Sequence, residues 1–106
     1  MRLADEECET PQPGMQPLSR EEAEELARQT PEWTLKEGAL EREFTFEDFE
    51  EAMDFVNDVA DVAQEQDHHP DISISYNKVG LEFSTHKIGG LSRNDFIMAA
   101  KVDQIV

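Results

Sequence analysis

The residues best equipped for chemistry are three histidines, His68, His69 and His86, all within nineteen positions of a 106-residue chain. Imidazole is the side chain whose ordinary pKa, about 6.5, lies near neutral pH. One ring can deliver a proton while another accepts one. A single histidine is more often a surface or satisfied core residue, but a pair plus a third at one place favours proton transfer. Three imidazoles could also hold zinc with an open position. Against that, His68 and His69 are adjacent residues leaving a helix and point in different directions, and no cysteine joins them. No metal is expected. The single cysteine, Cys8, has no His or basic residue close by in sequence, so it reads as a bystander thiol and permits no internal disulfide.

The elements around the histidines follow from pattern. Ser19-Arg20-Glu21-Glu22 is a capping box, and a helix should run to about Arg28 with Ala23, Leu26 and Ala27 inward, stopped by Pro31. Trp33–Lys36 and Leu40–Phe44 alternate apolar with polar around Glu37-Gly38, a hairpin in which Arg42 is the odd member of its face. A long helix is expected from Thr45 to about Glu65 or Gln66, with Asp48 in its first turn. Its apolar stripe is Phe46, Phe49, Met53, Val56, Ala60 and Ala63, flanked by Ala52, Phe55, Val59 and Val62. Pro70 requires the chain to leave this helix by His69. Ile72, Ile74 and Tyr76, then Val79, Leu81 and Phe83, alternate on two strands around a turn near Asn77-Lys78. After Gly89-Gly90, Ser92–Asp95 caps a last helix carrying Phe96, Ile97, Ala100, Val102 and Ile105.

Two hairpins joined through a helix form an antiparallel sheet with helices on one face, an α+β fold. His68 and His69 precede the third strand and His86 follows the fourth. A hairpin of those two strands therefore brings all three rings to its open end. An uncovered edge strand would be a site of self-association.

Residues 1–17 hold Pro11, Pro13, Gly14 and Pro17 among Asp5, Glu6, Glu7 and Glu9, and read as an acidic, disordered tail; residues 18–106 read as one domain. Asp and Glu total 25 against 9 Lys and Arg, for a net charge of −16. Such a chain lacks the basic face that nucleic-acid backbones or anionic lipid require. No apolar run approaches the roughly 20 residues of a membrane span. The N-terminus turns acidic at once, unlike a signal peptide. A cytoplasmic location is expected. The acids are spread along the chain and lysine is scarce, which suits a high-salt, halophilic cytoplasm better than one basic partner.

Gln64-x-x-x-His68-His69-Pro70, five residues to Tyr76, nine to His86 and eight to Asp95 resembles the pattern of pterin-4a-carbinolamine dehydratases. Some animal members also serve as dimerisation cofactors of a homeodomain transcription factor. The runs Asp67–Pro70, Tyr76–Val79, Ser84–His86 and Gly90–Ser92 carry the resemblance, which covers about residues 18–106. It implies a four-stranded antiparallel sheet with three helices on one face, in the order α-β-β-α-β-β-α. It implies homodimers or homotetramers and dehydration of 4a-hydroxytetrahydropterin to quinonoid dihydropterin, in tetrahydrobiopterin recycling, with no cofactor. His68 and His86 become the acid–base pair, in an order left open, and His69 joins them by positioning the pterin. Asp67, Ser84, Thr85 and Gln64 would complete the pterin site. Asp95 would support it, or simply cap its helix. Two residues depart from the family: Gln64 stands where many members have Glu, and Lys87 where animal members often have an acid. A non-catalytic, protein-binding module on the same fold is the alternative.

Overall fold

Ser19 opens the first helix by the expected reciprocal bonding. Its Oγ accepts from the Glu22 N–H at 3.2 Å, and the Glu22 carboxylate accepts from the Ser19 N–H at 3.0 Å. The computed structural model describes residues 2–12 and 14–106. Met1 and Pro13, both assigned to the expected tail, lie outside the described residues. Helix α1 spans Arg20–Ala27 and buries Ala23 and Leu26. Strands β1 (Thr34–Lys36) and β2 (Ala39–Thr45) form the first hairpin, with Gly38 at φ +75° in its turn. A side chain would be strained in that left-handed conformation.

Helix α2 spans Phe49–Gln66 and begins four residues later than the pattern suggested. Thr45 is the last residue of β2, and Asp48 is itself the cap, accepting from the Glu51 N–H at 2.9 Å. Phe46 therefore lies before the helix, its N–H bonded to the Asn77 carbonyl and its ring stacked near Phe44 and Phe55. Without Phe46 in register, the buried stripe keeps Val56 and Ala63 of the expected face and adds Ala52, Phe55 and Val59 from beside it. Phe49 is left 49% exposed.

Strands β3 (Asp71–Ser75) and β4 (Lys78–Phe83) pair antiparallel, and helix α3 spans Arg93–Ile105. The second turn is Tyr76-Asn77, one residue earlier than expected, because Ser75 pairs with Lys78 and Tyr76 adopts φ +54°. All pairings are antiparallel, and the four-stranded sheet runs β1-β2-β4-β3. The core lies between one face of this sheet and the helices. Leu40, Phe44, Val79, Leu81 and Phe83 meet the buried stripe of α2 and the α3 residues Phe96, Ile97, Met98, Ala99 and Val102. Arg42 shares that inner face by reaching out of it. Its guanidinium lies 4.4 Å from the Phe44 ring centre and donates to Asp103 at 2.7 Å, the carboxylate that also accepts from the Trp33 indole at 2.8 Å.

The other face of the sheet carries Glu41 opposite Glu82 and Glu82 opposite Asp71, a row of carboxylates across three strands. Strand β3 is an edge, and Ile72 and Ile74 stay 38% and 41% exposed beside it.

The N-terminal segment is packed on α3. Leu3–Asp5 form a 3-10 turn packed on α3, with Leu3 2% exposed, and hydrogen bonds continue to Glu9. Residues 3–9 of the segment read as a tail thus lie against α2 and α3. Composition concealed this, because one buried leucine and paired polar groups replace apolar periodicity.

Candidate active site

Asp67 ends α2 in the left-handed conformation, φ +52°, its N–H turned back to the carbonyls of Ala63 and Gln64. The reversal sends His68 and His69 out of the helix on different courses. His68 goes inward. It is 8% exposed, with its ring nearly parallel to that of Phe83 and the centres 6.3 Å apart. Its Nε2 lies 2.6 Å from Asp95 Oδ1. His69 goes outward, its Nε2 2.5 Å from Gln64 Oε1, so Gln64 steadies this ring from one turn back on α2.

At the other strand end, Thr85 is 3% exposed and closes a loop on Gly90, its N–H donating to the Gly90 carbonyl at 2.9 Å. His86 stands at the start of the 3-10 turn inside that loop, exposed, with Ser84 Oγ 3.4 Å from its Nε2. That contact is long for a hydrogen bond and leaves the ring free to turn. Gly90 has a steric reason for being glycine: a Cβ there would sit 2.8 Å from the Pro17 Cβ.

Asp95 connects the two strand ends. It is fully buried in the first turn of α3. Oδ1 meets His68, while Oδ2 accepts from the Thr85 hydroxyl and the Ser92 N–H, both at 2.9 Å. Thr85 Oγ1 and Ser92 Oγ are 2.7 Å apart. A buried carboxylate must be surrounded by donors, and this one is. With Nε2–H donating to Asp95, the free position of His68 is Nδ1. No buried side-chain nitrogen or oxygen among the described residues lacks a partner, so the unpaired Nδ1 is reached by solvent. The arrangement fixes a ring's orientation and leaves one nitrogen for proton exchange.

Asp95 is thus cap and histidine partner together, whereas the sequence reading offered a capping acid or a general support of the site and did not pair it with His68. Ser92 is the residue that sequence reasoning missed. Its place in the capping motif concealed the second use, since a cap occupies one carboxylate oxygen and leaves the other free. Asp67 is exposed and acts structurally as the helix terminator. Among the described residues, no three or more His, Cys, Asp or Glu side chains group as ligands of one ion. No helix among them is long and apolar enough to cross a membrane. The Cys8 thiol is pushed up to about 11 by burial, which keeps it protonated at neutral pH.

The family model described as pterin 4 alpha carbinolamine dehydratase matches residues 16–105. The chain belongs to that family. Relatives carrying a provisional pterin-4-alpha-carbinolamine dehydratase name include a protein of Nitrosomonas eutropha, 47% identical over 98% of this chain and 93% of its own length. A protein of Methylococcus capsulatus is 49% identical over 97% and 92%. A crystal structure from Brucella melitensis, titled transcriptional coactivator/pterin dehydratase, superposes with a TM-score of 0.80 at 33% identity, covering 84% of this chain and 97% of that one. The helix and strand order derived from pattern is thus the dehydratase family's own.

Proposed function

We propose that this chain dehydrates a 4a-hydroxytetrahydropterin to the quinonoid dihydropterin by histidine acid–base catalysis, as a step in tetrahydrobiopterin recycling. The observation that carries the reading is the Asp95 carboxylate, which holds His68 directly and the His86 segment through Thr85. Family membership supplies the substrate class.

A carbinolamine bears a hydroxyl and an amine nitrogen on one carbon. The nitrogen lone pair forms a C=N bond as the C–O bond breaks. A protonated group gives its proton to the departing oxygen, which leaves as water. A base takes one proton from the ring system, so the proton count closes. His68, through Nδ1, and His86 are the two groups of this exchange. His69, steadied by Gln64, positions the pterin, with Asp67, Ser84 and Thr85 around it. Gln64 holds His69 through an acceptor oxygen, a task that does not need the ionised carboxylate of Glu.

The test is enzyme-dependent acceleration of dehydration of chemically generated 4a-hydroxytetrahydropterin after rapid mixing, lost in His68→Ala and His86→Ala. No acceleration by the folded chain sinks the reading. A homo-oligomer fits the exposed Ile72 and Ile74 on edge strand β3 and Tyr76 in the turn after it, and sedimentation velocity would read its size. A protein-binding role without turnover is the second reading, favoured by the coactivator wording of the Brucella melitensis title.

A further inference from the structure

We propose that residues 2–10 form a strap that positions the His68–Asp95 pair; its effect on rate rests on the dehydratase reading, while its geometry does not. The pair spans two elements, the exit of α2 and the first turn of α3, and the strap grips both. The Cys8 N–H donates to Gln66 Oε1 at 2.8 Å, and the Gln66 amide donates to the Glu7 carboxylate. Gln66 lies two positions before His68. The next strap residue grips the other helix. The Glu9 N–H donates to Asn94 Oδ1 at 2.9 Å, and Asn94 Nδ2 donates back to the Glu9 carbonyl at 2.6 Å. Asn94 adjoins Asp95 and is 7% exposed.

Consecutive residues thus hold one helix end each. Their Cα atoms are about 3.8 Å apart across a trans peptide, so a single peptide unit sets the spacing between Gln66 and Asn94. The strap is itself anchored on its N-terminal side. Arg93 forks onto the Glu6 carboxylate with two contacts of 2.7 Å, Lys101 donates to the Ala4 carbonyl at 2.9 Å, and Leu3 is buried against α3. Asp95 is held within its own neighbourhood by Thr85 and Ser92. The end of α2 is closed by its own residues, with the Asp67 and His68 N–H groups returning to Ala63, and the strap adds a link from it to α3. The segment lies before the family-model match, which begins at residue 16.

The experiment compares the full chain with Gln66→Ala/Asn94→Ala and with a chain lacking residues 2–10. Imidazole NMR reads the exchange protection of the His68 Nε2 proton, and rapid-mixing kinetics read kcat and KM separately. The strap account expects the protected proton to be lost in both variants while the amide signals of β2 and β4 stay in place. It expects kcat to fall about tenfold with KM little changed, the usual consequence of a small misplacement. A protected Nε2 proton and full kcat in the double variant overturn it, whether or not the truncated chain folds. The proton signal needs no turnover, so a full chain without activity counts against the dehydratase reading and leaves the strap to be judged by NMR.

Discussion

Asp95 accepts from three donors with its two oxygens, so replacing either oxygen breaks at least one of these bonds. Asn at this position keeps one acceptor oxygen and turns an NH2 toward either His68 or the Thr85–Ser92 side. Asp95→Asn should therefore flip the His68 tautomer and lower kcat about 100-fold, read by imidazole nitrogen shifts and rapid-mixing kinetics together. A normal tautomer with normal kcat would show that Asp95 only caps α3. Glu6 offers a test by pH. The hydrogen bond from Arg93 holds its carboxyl below the usual carboxylate range. A depressed folded value contributes stability above the unfolded value, lost as pH falls through the folded one. The Cys8 and Glu9 amide signals should therefore hold through neutral pH and weaken in that acid window. The places of the three histidines, His68 and His69 before β3 and His86 after β4, were legible from the strand pattern alone. The His68–Asp95 bond was not, because the capping motif already accounted for the acid.

Helix α2 shows how one displaced residue changes a prediction. The stripe through Phe46, Phe49 and Met53 has sound helical spacing, but Phe46 precedes the helix and Asp48 caps it. The buried face combines Val56 and Ala63 of that stripe with Ala52, Phe55 and Val59 beside it, leaving Phe55 5% exposed and Phe49 49%. Phe55→Ala should cost about 3–5 kcal/mol in urea unfolding, and Phe49→Ala should stay within about 0.5 kcal/mol. Equal losses would mean the helix is rotated from this register. The hairpins were read correctly because period-two alternation survives a shift of one residue at a turn. The strap was hidden for the opposite reason: apart from Leu3, it docks mainly through backbone groups, amides and the Glu6 and Glu7 carboxylates, which leave no periodic trace.

The whole molecule carries a net charge of −16, and its open sheet face sets Glu41, Glu82 and Asp71 side by side. Like charges directly opposed on neighbouring strands destabilise, and salt screens them. The melting temperature should rise from dilute buffer to molar KCl, and Glu82→Gln should raise it in dilute buffer while narrowing that rise. A flat salt response would remove the argument for a saline cytoplasm. The charge was plain from composition, but the meeting of these three carboxylates across one sheet face appears only once strand register is known. The most direct test of the central claim is rapid-mixing dehydration of 4a-hydroxytetrahydropterin in high KCl, comparing the native chain with His68→Ala/His86→Ala. Acceleration by the native chain that is lost in the variant is the predicted result; equal rates from two folded proteins would contradict it.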